Sequence, residues 1–510
     1  MMLYPTLYIA TTASLALWFL YRSDEERERW LQRIFFGLFL SYALVVFTAD
    51  VKFGVKLWVL FRDLLVLGLL GTVFQLATHK RLWFMGAALA SAVFLAWFVP
   101  AQMSGSLRTL EAAPVSYDPD GELLLELAEG ADQDVLSTPA YKYDLTFSTA
   151  FEVGEADLTE LDDYLVVNIP ESHLADLEDI LNDLRAVPEV DWVEPNERIS
   201  ISPVTGEKLP GVNKKFGVND PGISELWGFE AMAVNDLYRL LRQQSGKPAK
   251  TALIAILDTG VDANHEDLSA NYKSLNSTDD NDPRGHGTHC AGIAAAVTNN
   301  GIGIASFSPG ASYVQVTSIK VLNASGMGTQ KSIINGMIKA ADAGADVISM
   351  SLGGLSNQSK ERAYRKAVKY ANDKGAIVVA AAGNANRNAK NYVPAAVDGV
   401  ISVSAVDNEL RKAVFSNYVT DLKRGIAAPG VGIYSTIPGN QYDTYNGTSM
   451  ATPYVAGLIG LMKSFKPGLT TDQAYQILNK TGKSTQQTDQ TGKLIQPAKA
   501  VEQVFSASGG

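Results

Sequence analysis

Four side chains in the C-terminal half of this 510-residue chain are of the types that acyl transfer uses: Asp258, His286, Asn384 and Ser449. Ser449 stands in Asn446-Gly-Thr-Ser-Met-Ala-Thr-Pro453. Gly447 lets the backbone turn there, and residues 449–465 are almost wholly small or apolar, as a buried helix should be. The hydroxyl therefore sits at a helix start, which favours negative charge nearby. It still needs a base to take its proton and donors to hold the oxyanion it creates. His286, glycine-flanked in Gly285-His-Gly-Thr-His-Cys-Ala-Gly292, is the candidate base. Asp258 would orient the imidazole and stabilise its charged form, and Asn384 would donate to the oxyanion beside the Ser449 N–H. Singly, each residue has a plainer meaning as a helix cap, a loop acid or a turn amide. In the order acid, imidazole, amide, hydroxyl they make the parts of an acyl-transfer site.

Such residues need a scaffold that converges on them. Residues 251–257 form a continuous apolar run, as expected of a strand buried on both faces of a parallel sheet, and similar runs recur at 313–322, 345–350, 376–381 and 400–406. Helical patterns fall between them at 331–343 and 359–373. This alternation predicts an α/β fold with a doubly wound, mostly parallel sheet, in which sites form at the carboxyl ends of the strands. Three strand ends fit that rule: Asp258-Thr-Gly260, Ser351-Leu-Gly-Gly354 and Ala382-Gly-Asn384.

Two other chemistries compete for the same residues. Asp258-Thr-Gly260 is also how an aspartic protease presents a carboxylate, but that mechanism needs two such aspartates and the chain has one Asp-Thr-Gly. His286, His289 and Cys290 are zinc-ligand types, yet no further ligand is spaced to complete a site.

The first hundred residues differ from the rest. Apolar stretches at 3–20, 31–49, 55–77 and 82–99 each approach the length of a membrane-spanning helix, the third carrying Arg62 and Asp63. The loops with Arg22, Arg27, Arg29 and Arg33, and with Lys80 and Arg81, are the basic ones, so four crossings would leave both termini outside the cytoplasm. Residues 101–140 are acidic and aperiodic and read as a solvated linker. Residues 141–201 show two strand-like runs around an amphipathic helical pattern, a small α+β domain, and 202–220 read as a loop before the α/β domain of 221–510. The net charge of −11 argues against a nucleic-acid partner, and a single cysteine excludes an internal disulfide.

Residues 221–504 resemble the catalytic domain of the subtilisin-like serine proteases. The resemblance is carried by Ile256-Leu-Asp-Thr-Gly-Val-Asp262, His286-Gly-Thr-His-Cys-Ala-Gly292, Ser351-Leu-Gly-Gly354, Ala381-Ala-Gly-Asn384 and Gly447-Thr-Ser-Met-Ala-Thr-Pro-Tyr-Val-Ala-Gly457. It implies Asp258, His286 and Ser449 as the triad, Asn384 as oxyanion donor, and a substrate strand added along Ser351, Leu352, Gly353 and Gly354. The main specificity pocket would be lined also by Ala381, Ala382 and Gly383. No cofactor is required for the chemistry, while Asp267 and Asn300 match calcium-ligand positions. The 141–201 domain resembles the family's propeptide, which implies an inhibitor released by autoprocessing within 202–220. The expectation is a multi-pass, membrane-anchored serine endopeptidase with its catalytic domain outside the cytoplasm. Its partners would be protein or peptide substrates, membrane lipid and its own propeptide-like domain. The rival is a catalytically silent membrane receptor or scaffold that uses a protease fold to bind peptides.

Overall fold

A computed structural model describes residues 3–22, 24–48, 53–77, 121–201, 204–209, 211, 216–243, 247–356 and 361–508. The chain divides into two units, Met1–Ser116 and Tyr117–Gly510. The first contains helices α1 (Leu3–Leu20), α2 (Glu25–Thr48) and α3 (Phe53–Ala77). Among the described residues one stretch, Glu25–Phe47, is long and apolar enough to cross a membrane, with a shorter apolar run at Ala10–Leu20. Of the four crossings expected from the sequence this supports one: α3 carries an ion pair at its centre, and the fourth expected segment, 82–99, lies outside the described residues. That pair is tied in. Asp63, 1% exposed, meets Arg62 Nε at 2.8 Å, accepts from Tyr42 Oη at 2.6 Å, and its carbonyl accepts from Tyr8 Oη at 3.1 Å.

In the second unit four antiparallel strands come first: β1 (Leu123–Leu127), β2 (Thr146–Thr149), β3 (Tyr164–Asn168) and β4 (Val190–Pro195), in the order β2-β3-β1-β4. Alternation along β1 gives the sheet two apolar faces. Leu123 and Leu125 point into a private core with Ile180 and Leu184 of helix α4 (Leu177–Arg185), whereas Leu124 joins Tyr164 and Val166 in packing on the larger domain. The expected linker 101–140 is corrected by this: β1 is a central strand, and the small domain begins near residue 121. Its acidic residue was misleading. Glu126 is 2% exposed because it is paired with Arg362 Nη2 at 2.6 Å and Lys366 Nζ at 3.0 Å, and it also binds the Tyr164 hydroxyl.

Two short strands follow, β5 (Arg198–Ser200) at the end of the expected small domain and β6 (Val204–Thr205) where a plain loop was expected. The larger domain is then built on six parallel strands: β7 (Ala252–Asp258), β8 (Val314–Lys320), β10 (Val347–Met350), β12 (Ile377–Ala381), β14 (Val400–Val406) and β15 (Gly425–Pro429), in the order β15-β14-β12-β10-β7-β8. Five of these are the apolar runs of the sequence. The sixth, Gly-Ile-Ala-Ala-Pro, has too few β-branched residues to announce itself, and its place beside β14 makes it a strand. The short strands β9 (Met327–Thr329), β11 (Gly354–Leu355), β13 (Tyr392–Val393), β16 (Ile433–Ile437) and β17 (Gln441–Asn446) lie outside this sheet.

Side chains of β7 alternate between two cores. Ile254 and Ile256 pack with helices α5 (His286–Ala295) and α8 (Thr448–Phe465), while Ala255 and Leu257 pack with α6 (Gln330–Asp342) and α7 (Arg362–Asp373). The small domain covers this second pair. Glu194 accepts from Gln330 Nε2 at 2.8 Å, and Asn196 accepts from the Lys331 N–H at 3.0 Å, placing acceptors at the start of α6.

Candidate active site

Asp258 is the last residue of β7 and is fully buried. The Thr259 N–H donates to its Oδ1 at 2.7 Å, and His286 Nδ1 lies 2.8 Å and 2.9 Å from its two oxygens. His286 is delivered by the first turn of α5, where Gly285 has φ of 87°, a backbone that a side chain would strain. Asp282 fixes that turn. Its carboxylate accepts from the N–H groups of Arg284, Gly285 and Thr288 at 2.8–3.0 Å and from the hydroxyls of Thr259 and Thr288 at 2.7–2.8 Å. One buried acid thus locks the histidine's helix to the loop that follows the aspartate. The sequence reading passed over Asp282, although an acid just ahead of a helix start is a recognisable capping signal.

Ser449 lies in the first turn of α8, entered through Gly447 with φ of 155°. Its carbonyl accepts from Ser351 Oγ at 2.7 Å and lies 3.5 Å from Cys290 Sγ. Its own hydroxyl donates to the Ser351 carbonyl at 3.0 Å. The hydroxyl thus points to Ser351 while sharing the cleft with His286, and such catalytic contacts are often loose without substrate. Asn384 follows β12. Its Oδ1 accepts from the N–H and the hydroxyl of Thr448, both at 2.9 Å, which turns its amide nitrogen towards Gly447 and the cleft. Thr448, also missed from sequence, is what orients this amide.

His286, Ser351, Leu352, Gly353, Ala381, Gly383, Asn384, Thr448 and Ser449 line one cleft, together with Tyr392, Asn446 and two residues of the chain's own earlier segment, Ser200 and Ile201. Ala382, expected in the same lining, is fully buried behind it in a cluster with Ala389 and Val419, because it alternates away from the cleft. At this edge the chain pairs with its own segment. The recorded ladder of β5 is antiparallel to β9, pairing Arg198 with Thr329, Ile199 with Gly328 and Ser200 with Met327, and the Ile201 N–H continues it by donating to the Gly326 carbonyl at 2.9 Å. Gly354 faces the other edge, leaving room for Ile199 where a Cβ would approach its Cγ1 to 3.2 Å. Beyond the cleft β6 pairs with Tyr445 and Asn446 of β17, just ahead of Ser449.

The zinc reading loses its donors. His289 is turned away: its Nε2 lies 3.1 Å and 3.2 Å from the carbonyls of Ile433 and Asp443, its ring stacks on Tyr445, and burial holds its pKa down to about 3. Asp258, His286 and Cys290 do lie close together. Burial, with the charge of Asp258, pushes the Cys290 thiol well up, so the thiolate a metal needs is disfavoured.

The sequence model of the subtilase family matches residues 249–496. Thermitase of Thermoactinomyces vulgaris is 49% identical over 218 residues, covering 42% of this chain and 75% of that protein. Subtilisin DY of Bacillus licheniformis is 42% identical over 247 residues, covering 47% of this chain and 86% of that protein. The chain belongs to the subtilase family. A solved protease from Pseudoalteromonas arctica aligns with a TM-score of 0.50 and 30% identity, covering 56% of this chain and 99% of that one. This subtilase is a subtilisin-like serine endopeptidase, which removes the silent-receptor reading, and its substrates are proteins or peptides. Subtilases need no cofactor for catalysis.

The two residues matched to calcium positions do meet. Asn300 Nδ2 donates to Asp267 Oδ1 at 2.8 Å, the Ile304 N–H donates to Oδ2 at 2.8 Å, and Asp220 accepts from the N–H groups of Asn299 and Asn300. Burial raises the Asp267 carboxyl to about 7, and the charge of Asp220 adds to this. Two buried acids supported only by neutral donors are short of positive charge, and their oxygens are of the type calcium takes.

Proposed function

We propose that this chain is a membrane-anchored serine endopeptidase that frees its own catalytic domain by cutting the segment lying in its cleft. The observation that carries the reading is the buried Asp258–His286 hydrogen bond at 2.8 Å, set in the same cleft as the helix-start hydroxyl of Ser449. Ser449 Oγ attacks a peptide carbonyl while His286 Nε2 takes its proton. The oxyanion is held by Asn384 Nδ2 and the Ser449 N–H, and Asp258 stabilises the imidazolium. His286 passes the proton to the departing amine, leaving an acyl-serine. Water, deprotonated by the same imidazole, then releases the acid and restores the hydroxyl.

The small domain acts as an attached inhibitor, since the strand leaving it lines the cleft beside His286 and Ser449. With β5 on one side of the cleft and β6 on the other, the self-cleaved bond falls between Ile201 and Val204. Glu25–Phe47 anchors the chain. The arginines at 22, 27, 29 and 33 flank its beginning, so a crossing by this helix keeps that end cytoplasmic and carries the catalytic domain outside. The further apolar segments of residues 1–100 make the anchor multi-pass. Calcium, held by Asp267 and Asn300, supplies structural charge compensation.

The test is Ser449→Ala. Wild-type chain should label with a fluorophosphonate probe, hydrolyse denatured casein and yield a new N-terminus between 202 and 204, and the variant should do none of these. Labelling that survives in the variant would refute the assignment.

A further inference from the structure

Arg284 is a cation beside the cleft-lining Ile201 that the chemistry above leaves unused. It sits two residues before His286, its backbone pinned by the Asp282 carboxylate at 3.0 Å, so the root of its side chain cannot wander. Its Nη2 reaches the Ile201 carbonyl at only 3.5 Å, and its Nε is buried without a hydrogen-bond partner. Among the described residues no carboxylate lies within ion-pair distance of it. Asp282, the nearest acid along the chain, spends both oxygens on N–H and hydroxyl groups. The guanidinium and the Ile201 side chain crowd the same spot. A Cβ on Gly326, which has φ of 76°, would meet Arg284 Nε at 2.7 Å and Ile201 Cγ1 at 3.0 Å.

A guanidinium keeps its charge at any working pH, and its planar fork suits a carboxylate held by two parallel hydrogen bonds. Unmet buried donors are uncommon enough to require an account. Here the position beside the fork is occupied by an isoleucine whose side chain can offer it no acceptor. We infer that Arg284 is a specificity-determining residue that selects substrates with aspartate or glutamate at the position Ile201 occupies, where the substrate N–H pairs with Gly326. This rests on the endopeptidase site described above. The apolar Ile201 is tolerated in the chain's own segment because tethering gives that segment a high effective concentration, so it needs no optimal side chain. Once cut, a product without a countercharge yields the site to an acidic substrate.

The test uses the processed enzyme and a mixture of peptides from a digested proteome, with cleavage products sequenced by mass spectrometry. Wild-type enzyme should favour Asp and Glu over Lys and Arg by about tenfold at one position N-terminal to the cut, the size expected of a charge-assisted hydrogen bond. Arg284→Lys should retain part of this preference, Arg284→Gln should flatten it, and Arg284→Glu should invert it towards Lys and Arg. A profile unchanged in Arg284→Glu, or a wild-type profile indifferent to charge at that position, overturns the inference while leaving the hydrolase intact. Absence of cleavage by wild-type enzyme overturns the hydrolase reading itself and this one with it.

Discussion

The two faces of the central sheet are covered by helices of opposite character. On one face every residue of α5 is buried, as is α8 from Thr448 to Ser464, and the two helices approach so closely that a Cβ on Gly457 would lie 2.7 Å from the Ala294 carbonyl. On the other face α7 buries Ala363, Tyr364, Ala367, Val368, Tyr370 and Ala371 but turns Arg362, Lys366 and Lys369 outward. Small apolar helices can fix His286 and Ser449 because backbone meets backbone with little side-chain freedom between. The amphipathic pair presents a charged surface instead. There the small domain docks through Glu126, Glu155 and Glu160, which pair with Arg362, Lys366 and Lys374. One face holds the reacting groups in place, and the other carries the small domain on charged contacts.

The contrast is open to attack at several points. Asp258→Asn should leave the fold standing and lower kcat by about 10⁴, as loss of a triad acid does; a full-length, folded variant with near-normal kcat would remove the acid's role. Asn384→Ala should lower kcat by about 10²–10³ with KM little changed, a magnitude carried over from subtilisin's own oxyanion asparagine. Equal loss in KM would instead make this amide a binding group.

On the opposite face, Glu126→Ala in the uncut Ser449→Ala chain leaves two cations without their buried partner. It should destabilise docking of the small domain by about 2–5 kcal/mol, read from urea unfolding. Stability within a few tenths of the parent would show that apolar packing alone holds the cover. Gly457→Ala should cost about 1–3 kcal/mol through overpacking against Ala294, with a matching fall in Tm. An unchanged Tm would mean that the two helices can separate after all.

The last test concerns pH. His289 is neutral when folded, with its pKa lowered from 6.5 to about 3 by burial and by the nearby His286. Below about 6.5 the unfolded imidazole takes a proton that the folded one refuses. Stability should therefore fall by about 1.4 kcal/mol per pH unit from there down to about 3 and then level off. In His289→Gln that part of the slope should disappear when unfolding is followed across this range. An identical slope in the variant would assign the acid sensitivity to other groups.

Sequence was most legible where short-range chemistry repeats itself. The sheet strands β7, β8, β10, β12 and β14 appear as apolar runs because a strand buried on both faces can hold little else, and the helix starts at His286 and Ser449 are marked by their glycines. It was least legible where a charge changes its meaning on folding. Glu126 made Leu123–Leu127 look solvated, since nothing nearby in sequence shows that Arg362 and Lys366 will cover it. The pairing of β5 with β9 was equally hidden, because neither three-residue segment has a pattern of its own.

The sequence by itself determined the parallel sheet and the identity of the acid, imidazole, amide and hydroxyl, because these follow from local patterning and from motifs a few residues long. Only the tertiary structure decided that Asp282 and Thr448 hold those groups in position, that Ser200 and Ile201 line the cleft, and that Arg284 stands beside Ile201 without a countercharge. Each of these is a meeting of side chains far apart along the chain, and the partner that gives a polar group its role is supplied by packing rather than by its neighbours in sequence.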